Sequence, residues 1–142
     1  MAIDIDLAAA RDLEVRLERD RPIYILNLLR FRARAAYAEG IASVGETGRE
    51  AYFNGYVPAF AAVKANQGVT GVQPVWIGSV AARLAAPASE QWDAVAIVEY
   101  PSVAIFLQIV GSDAYRAQAE PMRKAALEDW RLIAQTRLEM LA

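Results

Sequence analysis

The chain has 142 residues, of which 56% are hydrophobic and 23% charged, with a net charge of −2. This is the size of one domain with a real core, and the weak, scattered charge argues against a nucleic-acid surface. The sequence has neither Cys nor His, which excludes disulfides, thiolate nucleophiles, iron–sulfur clusters, thiolate zinc sites, Ser–His pairs and axial imidazoles.

Leu7, Ala10, Leu13 and Leu17 recur at near-helical spacing, which predicts a first amphipathic helix over about 6–18. Asp20-Arg21-Pro22 breaks it. Ile23–Phe31, IYILNLLRF, reads as a strand too apolar for an exposed edge. Residues 33–48 hold three of the eight glycines and form a long loop. Thr47-Gly-Arg-Glu50 matches a capping box, and a helix over about 48–66 follows. Phe53, Val57, Phe60 and Lys64 share one of its faces with Tyr52 and Tyr56 beside it, and Pro58 should kink it.

Gly68-Val-Thr-Gly71 is a turn, lacking the spacing of a phosphate loop. Val72–Leu84 predicts a second strand bending at Gly78. In the third, Asp93, Val95, Ile97 and Glu99 share one face, and Ala94, Ala96, Val98 and Tyr100 the other. Pro101 ends that strand and Ser102 can cap a helix. Ser112-Asp113 starts another helix to about Leu127, and Trp130–Leu138 closes as a strand.

A helix followed by β-α-β-β-α-β predicts an α+β chain of ferredoxin-like topology. We expect a single domain over 1–142, with residues 1–20 as the N-terminal helix and 22–140 as the core. Its helices can cover only one face of the sheet, and the strands have no polar face to offer water. The expected partner is therefore a second copy, in a homodimer. No apolar run approaches the roughly 18–20 residues that span a bilayer, and the start, MAIDID, is acidic where an export signal is basic. A cytoplasmic protein with no membrane partner, metal or other cofactor is expected.

Six segments, in order, also resemble a known family: Ile25-Leu-Asn-Leu-Leu-Arg-Phe31, Gly48-Arg-Glu-Ala-Tyr52, Trp92-Asp-Ala-Val, Glu99-Tyr-Pro-Ser102, Ser112-Asp-Ala-Tyr-Arg116 and Asp129-Trp-Arg-Leu-Ile133. Together they look like the domain-of-unknown-function thirteen-thirty family, over about residues 22–133. The resemblance implies a dimeric α+β barrel in which the sheets of two ferredoxin-like protomers pair. It implies no reaction, since that superfamily includes cofactor-free oxygenases, lactone isomerases, haem peroxidase-like enzymes and stress-response proteins.

Polar residues on apolar faces are the candidate site. Asn27 shares a strand face with Ile23, Ile25, Leu29 and Phe31, and is either a ligand-facing amide or one satisfied by nearby backbone. Glu99, beside Val95 and Ile97, would be desolvated and suited to proton transfer, unless an Arg holds it ionised. Arg30, on the opposite face near the strand end, could grip a carboxylate substrate or pair with Glu99 or another acid. Strands one and three should be adjacent, which would bring Asn27 and Glu99 to one cavity walled by Tyr52 or Tyr56. Tyr52, Tyr56 and Tyr115 are pocket candidates that equally suit a core. Arg116, Glu120 and Arg123 read as a salt-bridged, solvated helix face, with Arg123 matching a basic position of the resembled family. Asp93 reads as a turn cap.

Three functions fit these residues. One is a cofactor-free enzyme acting on a small apolar or carboxylate-bearing molecule by proton transfer or oxygenation, with Glu99 moving a proton and Asn27 and Arg30 stabilising negative charge. The second is a non-catalytic binding protein for an apolar metabolite, and the third a purely structural dimer. A Tyr-lined pocket of roughly 300 Å³ or more beside Asn27 would argue against the third.

Overall fold

The computed structural model describes residues 3–140. The chain is α+β: a four-stranded, fully antiparallel sheet in the order β2-β3-β1-β4, an arrangement compatible with the ferredoxin-like fold. Helix α1 (Leu7–Arg16) begins at Asp6, whose carboxylate accepts from the Ala9 amide, and packs on α4 (Val103–Val110). Strand β1 (Ile23–Phe31) lies between β3 (Ala94–Tyr100) and β4 (Leu127–Gln135), while β2 (Gln73–Ser79) forms the edge beside β3.

Each crossover between strands is built around a π-helical turn. The first runs through α2 (Gly48–Ala51), the π turn Tyr52–Tyr56 and α3 (Val57–Asn66). The second runs from α4 through the π turn Tyr115–Ala119 into α5 (Glu120–Ala126). The Val57 amide donates to Tyr52 O, and the Glu120 amide to Tyr115 O, each spanning five residues. A proline follows directly in both cases, Pro58 and Pro121. Its ring would crowd the carbonyl four residues back and has no N–H to give it, and the widened turn relieves that conflict. The sequence predicted the disturbance at Pro58 as a kink, and the chain absorbs it as a π turn.

The capping box forms as expected. Thr47 Oγ1 accepts from the Glu50 amide at 3.1 Å, and Glu50 Oε1 accepts from the Thr47 amide at 3.2 Å. The Thr47 hydroxyl also donates to Glu50 Oε1 at 2.9 Å, and this bond, with that from the Thr47 amide, holds the Glu50 carboxyl below its ordinary pKa. Gly48, next in line, is wedged between strand ends: its amide donates to Arg32 O at 2.9 Å, while the Arg32 amide donates to Ala126 O at 2.8 Å. A Cβ on Gly48 would collide with both backbones. Ser102 caps α4 by accepting from the Ile105 amide.

Two strand bounds differ from expectation. β2 ends at Ser79, five residues before Leu84, because its partner β3 begins at Ala94 and only one further rung forms, from the Val80 amide to Asp93 O. β4 starts at Leu127 and stops at Gln135 because it follows β1, whose register runs from Phe31↔Leu127 to Tyr24↔Gln135. Cross-strand pairing overrides local propensity there.

The helices cover one sheet face. Ile23, Ile25, Tyr100, Phe106, Ile109 and Tyr115 form one buried cluster beneath them, and Leu29, Tyr52, Leu127 and Trp130 form another. The opposite face carries Tyr24, Leu26, Leu28, Val95, Ile97, Trp76 and Ile133, with Arg30, Glu99 and Arg131 among them, and no described helix covers it; Trp76 is 61% exposed and Ile133 49%. No described helix is long and apolar enough to cross a membrane.

Candidate functional site

Between the sheet and the helix of residues 48–66 lies a cavity of about 190 Å³. Its floor is the inner face of β1 and β3, where Asn27 stands opposite Ala96 and Leu29 opposite Ala94. Two alanines on this floor leave space that larger residues would fill. The roof is the helix face that the sequence marked out: Phe53, Val57, Phe60 and Lys64, with Tyr52 and Tyr56. Pro74 and Ile77 of β2 close one side. Two larger hollows, of about 470 and 520 Å³, border the N-terminal segment at Ile3 and Asp4, away from Asn27.

Asn27 has the backbone partners that one of its expected readings called for, and it lines the cavity. Its Nδ2 donates to Ile25 O at 3.1 Å and to Ala96 O at 3.4 Å, so backbone fixes the amide while the side chain lines the cavity. Among the described residues no donor engages its carbonyl oxygen.

Aromatic rings form the roof. Tyr52 stacks on Tyr56 with centroids 5.2 Å apart, and Tyr56 stacks on Phe60 at 6.0 Å. The Tyr56 hydroxyl meets that of Tyr115 at 2.9 Å, and Arg123 Nη1 donates to the Tyr115 oxygen at 3.4 Å. Burial raises the Tyr52, Tyr56 and Tyr115 phenols above their ordinary pKa, and Arg123 pulls Tyr52 and Tyr115 partly back. These are neutral donors, not phenolates, at ordinary pH.

Arg123 departs from the solvated face expected of it. It is 3% exposed, bonds Glu120 at 3.3 Å through Nη2, and sets its guanidinium 4.3 Å from the centroid of the Trp130 ring. Neither it nor Tyr115 lines the cavity; they hold Tyr56 from behind. The π turn ahead of Pro121 rotates the helix, so the periodicity that placed Arg123 with Arg116 does not apply. Arg116 keeps its surface role, paired with Asp113.

Glu99 and Arg30 also require correction. Strands β1 and β3 are adjacent, as expected, but Glu99 pairs with Tyr24 and points to the face opposite Asn27. There it accepts from the Tyr24 hydroxyl at 3.2 Å and from Gln73 Nε2 at 3.1 Å. Arg30 lies on that same far face, away from the cavity, and makes its ion pair with another acid, Glu128, at 3.3 Å. The reason is parity: Asn27 registers with Ala96, and Glu99 is an odd number of residues further along. Asp93 ties strand ends together, its Oδ2 accepting from the Phe31 amide at 2.8 Å. Lys64, on the apolar helix face in the sequence but not singled out there, is the residue that reading missed. A lone cation among Phe53, Val57 and Phe60 was its signal.

Comparison with known proteins finds close relatives among solved structures. The RPA0582 protein from Rhodopseudomonas palustris, a protein of unknown function, is 37% identical over 98% of both chains, with a TM-score of 0.78. The methylated RPA0582 protein gives 38% identity, the same coverage and a TM-score of 0.76. The chain belongs to the RPA0582 family. No protein-family model matches it, and no curated protein does. RPA0582 brings the fold of a relative without a reaction, so the cavity is read from its own chemistry.

Proposed function

We propose that this chain is a homodimeric small-molecule-binding protein of the dimeric α+β barrel kind, related to the domain-of-unknown-function thirteen-thirty family and working in the cytoplasm. The observation that carries the binding role is the cavity of about 190 Å³ that unites Asn27 with Tyr52 and Tyr56. It is smaller than the roughly 300 Å³ of an ordinary ligand pocket, but apolar cavities of about 150 Å³ take benzene. A compact, flat, largely apolar molecule fits that space. Binding is favoured over turnover because no carboxylate is among the described residues lining the cavity, and Glu99, the expected base, lies across the sheet. The alternative of a cofactor-free enzyme would rest on Asn27, Lys64 and the tyrosine hydroxyls that line the cavity.

Pairing of two sheets is supported by the apolar face that carries Trp76, Ile97, Leu26 and Ile133. A monomer would leave that face to water, where contiguous apolar surface of this extent is rare. Native mass spectrometry of freshly purified protein reads both parts together. A dimer carrying a retained small molecule is expected. A monomer overturns the pairing, and a protein that keeps no molecule and takes up no added indole overturns the binding role.

A further inference from the structure

Lys64 is the one cation among the described residues that line the aromatic cavity. It is half-buried, and its ammonium lies 5.2 Å from the centroid of the Phe60 ring. Desolvation lowers its pKa, and no described carboxylate stands near enough to offset that. Lys64 also sits in the last turn of α3, where a cation complements the helix dipole. That role needs only an exposed side chain. It does not account for a lysine drawn over a ring at the rim of an otherwise apolar cavity.

From this placement we propose that the ligand is a small aromatic or apolar monocarboxylate, its ring beneath Tyr52 and Tyr56 and its carboxylate against Lys64. The inference rests on the binding role proposed for the cavity and adds the chemical class of what binds. One negative charge is favoured over two because the cavity presents a single ammonium. A phosphate-sized dianion would call for a guanidinium fork or a row of backbone amides. The carboxylate would complete the ion pair that Lys64 lacks in the empty protein. Asn27, its Nδ2 held by the Ile25 and Ala96 carbonyls, would not be the partner of the charge.

Isothermal titration of the whole protein with phenylacetate and with phenylacetamide, its neutral counterpart, tests this. The acid should bind at least about tenfold more tightly than the amide, the scale of one charge-assisted hydrogen bond. Lys64→Met should erase that preference, and Lys64→Arg should retain it. Equal binding of both probes overturns the carboxylate assignment and leaves the cavity's binding role intact, as does a preference that survives Lys64→Met. Failure of both probes to bind the native protein overturns this inference, and failure of indole to bind as well removes the binding role itself.

Discussion

The hydroxyls of Tyr56 and Tyr115 meet at 2.9 Å, and each tyrosine is carried by a π-helical turn that a proline follows. Arg123 donates to Tyr115 from the far side. Either hydroxyl can donate to the other across that contact. The roof of the cavity is fixed from behind by three polar groups in a row.

Breaking that row has a defined cost. Tyr115→Phe leaves the Tyr56 hydroxyl and an Arg123 N–H without their partner in a buried setting, and should destabilise the fold by about 1–2 kcal/mol. Urea unfolding measures it. A loss below about 0.3 kcal/mol would mean that the three groups are satisfied by water and that the row is not structural.

Alkaline pH should unfold the protein cooperatively. The Tyr52, Tyr56, Tyr100 and Tyr115 phenols are all raised above the ordinary value of 10.0, chiefly by burial. Below pH 10.0 the folded and unfolded chains hold these protons alike. Above it the unfolded chain gives them up while the fold retains them, so stability declines as pH rises from there towards the folded values. Phenolate absorbance should therefore report these four tyrosines only together with loss of the near-ultraviolet circular dichroism. Ionisation of all tyrosines in a chain that is still folded would contradict this.

Glu99→Gln separates the cavity from the far sheet face. Glu99 accepts from Tyr24 and Gln73 on the side away from Asn27, and Gln can still accept from one of them. Binding of phenylacetamide should be unchanged and stability should shift by no more than about 0.5 kcal/mol. Loss of binding would place Glu99 in the site after all.

Gly48→Ala should be among the more damaging single-methyl changes in the chain. The added Cβ meets the backbone of Arg32 and Ala126, which cannot swing aside as a side chain would. A loss of about 1–3 kcal/mol is expected, the range for overpacked sites. Thermal unfolding of the variant checks it, and a neutral result would show that the crossover helix can shift relative to β1 and α5.

Trp76→Arg tests the proposed pairing of two copies. Trp76 is 61% exposed on the uncovered face and lies over Gly78, where only a hydrogen leaves room for its indole. A buried tryptophan at the middle of an interface is worth about 2 kcal/mol or more, so the variant should dissociate at concentrations where the native protein does not. Sedimentation equilibrium at matched concentrations reads this; identical masses would move the contact elsewhere.

Much of the architecture could be read from local chemistry. The capping box at Thr47, the Ser102 cap and the cavity-facing set Phe53, Val57, Phe60 and Lys64 each follow from spacing within one turn or two. Which polar residues meet was less legible, because that depends on pairing between strands. Asn27 and Glu99 sit on adjacent strands, yet a register fixed by residues at both ends of β1 sends them to opposite faces. Arg123 was hidden for a related reason: helical periodicity assumes 3.6 residues per turn, and the π turn before Pro121 changes the count. Lys64 was visible on its face, but its meaning lay in a floor of alanines from another strand.

Each π turn is, in effect, one residue more than the helix's length accounts for. Deleting one residue between Tyr52 and Tyr56 would let the helix close regularly, and every side chain beyond would swing by about 100°. Phe60 and Lys64 would leave the cavity while the strands and loops kept their lengths. Within this family, a shortened helix at that point would therefore mark a protein with the same scaffold and a different pocket.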